Sequence, residues 1–151
     1  MRFQELSYSC GAATVLNCLK LFDKHTEEPF LRKLCNTTKN GTDEKGIVSA
    51  LHKFKLKTKE CEFTNFKIAF SFILNSLSLG CPLILCFDKW AHWVLAAGKL
   101  NKKIIIIDST NEIKNKKENG IHIYSPKQLM QRWKYKKDKK NIYYAIQVIG
   151  K

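Results

Sequence analysis

A thiol, an imidazole, a carboxylate and a carboxamide stand in an order that nucleophilic chemistry could use: Cys10, His92, Asp108 and Gln4. Cys10 follows Ser9, a good N-cap residue, and precedes Ala12, Val15, Leu16, Leu19 and Phe22 at helical spacing. That predicts a thiol in the first turn of a helix. Unpaired backbone N–H groups and the positive end of the helix dipole favour thiolate over thiol there. Such a cysteine is a nucleophile if a base and an oxyanion donor accompany it, and otherwise a small core residue.

Four histidines compete to be the base. His25 lies in a polar turn, His52 in a helix among lysines and His122 in a short strand, and each reads as structural or solvated. His92 differs: it opens a strand directly after the Asp88-Lys89 turn, between Trp90 and Trp93. Aromatic neighbours exclude water and hold an imidazole near its working range. The runs 92–97 and 103–108 flank a turn at 99–102. A symmetric hairpin about Leu100 pairs positions summing to 200, which sets His92 opposite Asp108. Directly opposed Cβ atoms lie roughly 4.5–5.5 Å apart. An odd register shift would put the pair on opposite faces. Asp108 ends a run of four isoleucines, where a carboxylate needs a polar partner. A turn backbone could be that partner; with His92 opposite, Asp108 reads as the orienter of a catalytic base. Gln4 precedes the helix by one short loop. Its amide, with the Cys10 N–H, could donate to the oxyanion of a tetrahedral intermediate.

The elements that must position these groups change character along the chain. Residues 1–80 read as helices: one from Cys10, a short one from Glu28-Pro29, one capped by Thr42 and running to about Phe54, and one capped by Asn65. A strand at 56–63 interrupts them. Residues 82–87, 92–97, 103–108, 120–124 and 142–149 are short β-rich runs, broken by a helix from Ser125-Pro126 to Trp133. Helices first and strands afterwards predict an α+β fold, a helical layer packed on an antiparallel sheet. Residues 110–119 are polar and read as an exposed loop.

With 151 residues and 44% hydrophobic content, the chain suits one compact domain over residues 1–151. Six cysteines without a Cys-x-x-Cys motif argue for free thiols in a reducing compartment, and against a disulfide framework or a zinc site. No cofactor is called for. There is no apolar stretch long enough to span a bilayer and no recognisable signal peptide. The expectation is a cytoplasmic protein, or an effector exported by a dedicated secretion machine.

The net charge of +14 is concentrated late: residues 99–151 hold 14 basic against 4 acidic side chains, residues 1–98 hold 13 against 9. The run 134–140 is the densest and reads as a solvated loop. An acidic partner or an anionic surface is the functional alternative. Nucleic acid is disfavoured, since only residues 2, 32 and 132 are arginine, the side chain best suited to base and phosphate forks.

Gln4 six positions before Cys10, the segment Tyr8-Ser-Cys-Gly-Ala-Ala13, His92-Trp-Val-Leu, and Asp108 sixteen positions after His92 together resemble the bacteriocin-processing (double-glycine leader) cysteine peptidase family of the papain-like superfamily. Residues 34–56 are similar to that family's inter-motif segment, so the resemblance spans nearly the whole chain. It implies a papain-like fold, Cys10 as nucleophile, His92 as general base and acid, Asp108 as orienter and Gln4 as oxyanion donor. Two positions depart from exporter-linked members: Ser9 replaces an Asp, and Ser109 replaces the Pro after Asp108. They point towards a free-standing member and away from double-glycine leaders as substrate.

The reading is a cysteine peptidase acting on polypeptides through a thioester. Two alternatives stand beside it. The same half-reaction serves a deamidase, an isopeptidase or a transglutaminase-like acyltransferase acting on a partner protein. A non-enzymatic basic binding module would need none of the four groups.

Overall fold

The computed structural model describes residues 1–110 and 120–150. Its elements run α1 (Cys10–Leu21), α2 (Glu28–Leu34), α3 (Glu44–Lys53), β1 (Lys57–Phe63), α4 (Phe66–Ser78), β2 (Leu83–Phe87), β3 (His92–Leu100), β4 (Lys103–Ile107), β5 (Ile121–Tyr124), α5 (Pro126–Trp133), β6 (Tyr135–Lys137) and β7 (Lys140–Ile149). The sheet order is β1-β7-β2-β3-β4-β5, every neighbour antiparallel, with β6 pairing β7 off that path.

Alternation along the strands sorts the apolar side chains onto two faces. Ile84, Cys86, Trp93, Leu95, Tyr144, Ile146 and Val148 join Val15, Leu19, Ile47 and Leu51 in one cluster under α1 and α3. Leu83, Leu85, Phe87, Val94, Ala96, Ile104 and Ile106 join Ala69, Ile73, Leu129 and Trp133 in a second, under α4 and α5. The α+β expectation holds, with one addition: α4 and α5 form a second helical layer. The central strands are therefore buried on both sides, which is why β2 reads as an unbroken apolar run.

Local signals act largely as the sequence suggests. Asn65 accepts from the Ile68 N–H to start α4, and Ser125 with Gln128 forms a capping box on α5. Thr42 does not cap α3, however. Asp43 does, accepting from the Gly46 N–H at 2.8 Å. The Thr42 hydroxyl is taken by Thr37 at 2.7 Å, and its carbonyl by the Trp93 indole N–H at 2.7 Å.

The β3–β4 hairpin departs from the expected register. β3 continues to Leu100, and the turn is Asn101-Lys102, with Asn101 in the left-handed region at φ 56°. Leu100 pairs with Lys103 and Gly98 with Ile105, but a bulge between Ala96 and Gly98 then brings Ala96 opposite Ile106 and Leu95 opposite Ile107. Paired positions beyond the bulge sum to 202, not 200, so His92 and Asp108 are not directly opposed. The shift is even, and the two keep the same face of the ladder.

Residues 134–140 are solvated, as expected, but they are not a loop. They supply β6 and open β7, and Asp138-Lys139, both at positive φ (51° and 64°), make the tight turn between them. The expected loop at 110–119 lies outside the described residues except for Thr110. Among the described residues no helix is long and apolar enough to cross a membrane.

Candidate active site

Cys10 is the first residue of α1 and is 7% exposed. Ser9 does not cap the helix with its side chain. Its hydroxyl turns back to the preceding loop, donating to the Leu6 carbonyl and accepting from the Leu6 N–H, each at 3.0 Å. The loop is thereby closed, and the first-turn N–H groups around Cys10 gain no side-chain cap. Gly11 is required by packing: a Cβ there would stand 2.6 Å from the Thr42 Cβ. One turn later Thr14 donates to the Trp93 carbonyl at 3.0 Å, tying the start of α1 to the residue after His92.

His92 opens β3 after a strained turn. Asp88, Lys89 and Trp90 lie in succession at φ 54°, 58° and 72°. Non-glycine residues resist that region, so neighbouring structure must hold them there. Arg132 of α5 does so at one end, its Nε donating to Asp88 Oδ1 at 3.0 Å and its carbonyl accepting from the Asp88 N–H at 2.9 Å. Trp90 is held at the other, its ring centroid 6.0 Å from Trp93, 5.5 Å from Tyr135 and 4.8 Å from Tyr144.

The imidazole Nε2 of His92 lies 2.7 Å from Asp108 Oδ1 and 3.0 Å from the Thr110 hydroxyl. The Thr110 N–H donates to the same carboxylate oxygen at 3.0 Å. With Nε2 so engaged, Nδ1 is the ring nitrogen left for the sulfur. The backbone of Asp108 is fixed in turn, its N–H donating to the Gly120 carbonyl at 2.8 Å. Gly120, at φ 76°, would place a Cβ 2.8 Å from the Asp108 carbonyl oxygen. The other histidines are elsewhere: His25 is beside Asp23 at 3.4 Å, His52 bonds Thr58 and His122 packs near Tyr124.

Gln4 is buried and joined to the segment after Asp108. Its N–H donates to the Ser109 carbonyl at 2.8 Å, and Ser109 Oγ donates to its Oε1 at 3.3 Å. Its Nε2 donates to the Leu6 and Ser7 carbonyls at 2.8 and 3.1 Å, both in the loop leading to Cys10. Ser109 and Thr110 contact the candidate residues, and sequence reasoning missed these contacts. Their signal was two hydroxyls directly after a strand-terminal carboxylate, hidden by reading position 110 as the start of a loop.

The electrostatics follow from these contacts. Burial would raise the Cys10 thiol. A hydrogen bond and charge from His92, the Trp93 backbone N–H and the Gly11 N–H outweigh it, and the pKa falls below its ordinary 9.0. Burial would lower His92. Hydrogen bonds and charge from Asp108 and Cys10 instead raise it from 6.5 to about 9. Asp108, which burial would raise, is held well below the usual carboxylate range by His92 and Thr110. All three shifts favour thiolate, imidazolium and carboxylate side by side. By contrast Cys18, Cys35 and Cys86 are pushed up to about 12, chiefly by burial.

A family model, the peptidase C39 family, matches residues 1–137. Among solved structures, the chain is similar to the peptidase domain of Streptococcus ComA, a bifunctional ABC transporter involved in quorum sensing. That match has a TM-score of 0.73 and 21% identity, covering 99% of this chain and 97% of that one. It is similar to a double-glycine-motif protease from an AMS/PCAT transporter, in complex with its leader peptide, at TM-score 0.68 and 15% identity over 95% and 88% of the two chains. A C39-like peptidase from Bacillus anthracis matches at TM-score 0.66 and 11% identity, over 100% and 94%. No curated protein matches the chain in sequence. The structural likenesses carry the papain-like fold, and the family match carries membership. The chain belongs to the peptidase C39 family and is a papain-like cysteine peptidase.

Proposed function

We propose that Cys10, His92 and Asp108 are the catalytic triad of this peptidase and that Gln4 supports the oxyanion. The observation that carries the reading is the pairing of His92 Nε2 with Asp108 at 2.7 Å beside a thiol whose pKa is lowered in spite of burial. The substrate class is a polypeptide, as for the double-glycine protease neighbour seen with its leader peptide.

The Cys10 thiolate attacks a peptide carbonyl, and a C–S bond forms as the carbonyl π electrons move onto oxygen. That oxyanion meets the Cys10 N–H in the first turn of α1. Gln4 joins by releasing one of its two loop carbonyls, Leu6 or Ser7, as the oxyanion develops. The imidazolium of His92 protonates the leaving nitrogen, the C–N bond breaks and a thioester remains. Water, deprotonated by His92, adds to the thioester; the C–S bond breaks and the carboxylic acid leaves. Asp108 holds the imidazole with Nδ1 towards the sulfur and stabilises its charged form.

An activity-based thiol probe on the wild type and on Cys10→Ala, followed by a proteome-wide search for altered proteins, tests this. Labelling confined to Cys10, with new chain termini in wild-type samples only, is the expected result. Substrates gaining about one mass unit without cleavage would instead identify a deamidase. Labelling and cleavage that survive Cys10→Ala would overturn the triad.

A further inference from the structure

A cavity of about 340 Å³ next to the site has walls unlike the rest of this basic chain. Glu60 and Glu62 of β1 and Glu44 of the first turn of α3 face it, together with the rings of Trp90, Tyr135 and Tyr144. Glu60 accepts from the Tyr144 hydroxyl at 2.6 Å. Neither Glu44 nor Glu62 has a hydrogen-bond or ion-pair partner for its carboxylate among the described residues. With 27 basic side chains against 13 acidic ones, three carboxylates around aromatic faces run against the charge of the molecule. The buried Tyr144 phenol is pushed up first by burial, then by the Glu60 hydrogen bond and charge, and further by Glu44.

The cavity borders the turn that leads into His92. Trp90 lies two residues before His92, and its ring packs against Trp93, whose carbonyl accepts from Thr14 one turn after Cys10. A polypeptide seated on Cys10 therefore has this concavity within reach of its neighbouring side chains.

Aromatic faces attract a cation through their quadrupoles, and carboxylates bind guanidinium or ammonium through charge-assisted hydrogen bonds. An anionic side chain would be repelled here, and an aliphatic one would strip water from carboxylates without replacing it. Lys137 of β6 also lines the cavity, so the protein already holds an ammonium group close by, with no ion pair to the three carboxylates. We propose that this cavity is a subsite for a lysine or arginine side chain of the polypeptide substrate. Its role in specificity rests on the peptidase reading above; its affinity for a cation does not.

The test has two arms, so that the two readings can fail separately. In the first, Nα-acetyl-arginine amide and Nα-acetyl-citrulline amide are titrated while the indole N–H resonance of Trp90, assigned through Trp90→Phe, is followed by NMR. The arginine compound should bind at least about tenfold more tightly than its neutral isostere. The E44Q/E62Q double variant should erase that difference. Equal binding of the two compounds, or a difference that persists in the double variant, overturns the subsite. In the second arm, matched peptides carrying arginine or citrulline at successive positions are compared by kcat/KM. One position should favour arginine by a similar factor, and the ratio should fall to about one in the double variant. Cleavage with no basic preference at any position also overturns it. Selective arginine binding without cleavage of any peptide leaves the subsite standing and removes the peptidase mechanism.

Discussion

Cys10 and Cys18 share one helix and one hydrophobic cluster, yet their thiols behave in opposite ways. Cys18 is fully buried, and burial pushes it up to about 12. Cys10 is nearly as enclosed, and its pKa falls below 9.0. Exposure does not separate them. Cys18 lies two turns into α1, where every backbone N–H is already committed to the helix. Cys10 lies at the first residue, where N–H groups and an imidazole brought in by β3 outweigh the desolvation cost. Cys86 makes the same point from the sheet: it is one strand residue from Phe87, which pairs with His92, but it too is pushed up to about 12. Position at a helix start, with a charged partner, reverses what burial alone dictates.

The comparison breaks most sharply under truncation of each thiol. Cys10→Ala should lower turnover by at least about 10⁴-fold with the fold intact. Cys18→Ala should leave turnover in place and cost about 1 kcal/mol of stability, a fall in Tm of about 2–4 °C by calorimetry. Comparable activity losses in the two variants would mean that the helix position carries no chemistry.

Removing the carboxylate charge behind His92 has the next largest expected effect. Asp108→Asn should lower kcat by about 10²–10⁴-fold. In the wild type, kcat/KM should rise as Cys10 deprotonates below pH 9 and fall as His92 loses its proton near pH 9. Because Asp108 raises His92, the alkaline limb should move to lower pH in Asp108→Asn. A pH–rate profile with an unmoved alkaline limb would contradict that role.

The same pair couples stability to pH with a defined sign. The raised pKa of His92 stabilises the fold fully below about pH 6.5, and the contribution fades as pH rises through about 9. The depressed pKa of Asp108 stabilises fully above about pH 4, and the contribution is lost as acid protonates the carboxylate. Denaturant melts between pH 2 and 10 should show both losses in the wild type, and smaller ones in Asp108→Asn.

The smallest expected effect belongs to Thr110. Thr110→Val removes one hydroxyl contact to His92 and keeps the backbone N–H on Asp108. A neutral hydrogen bond is worth about 0.5–1.5 kcal/mol, so kcat should fall about 2- to 10-fold with KM little changed.

Much of the geometry of the candidate site was legible because its logic is local or parity-based. The helical spacing of apolar residues after Cys10 located the start of α1, and period-two alternation kept His92 and Asp108 on one face even though the register was wrong by two. What failed were features decided by tertiary contact. Gly98 inside a strand pattern was the available signal for the bulge, but its effect on register depends on where β3 ends. β6 was hidden because lysines mask alternation, while the Asp138-Lys139 turn that forms it lacks the usual glycine. Ser9 and Thr42 are good capping types that the fold spends on other contacts, and nothing in the sequence near them says so. The hydroxyls of Ser109 and Thr110 acquire partners only when residue 4 and residue 92 arrive.

The difference between the two thiols of α1 can be read directly by site-resolved alkylation with iodoacetamide across pH, quantified by mass spectrometry, in the native protein and in His92→Ala. Cys10 should react at neutral pH with a titration midpoint below 9 that moves upward in His92→Ala, while Cys18 stays unmodified throughout. A Cys10 that reacts only above pH 9, or whose profile is indifferent to the imidazole, would contradict the account.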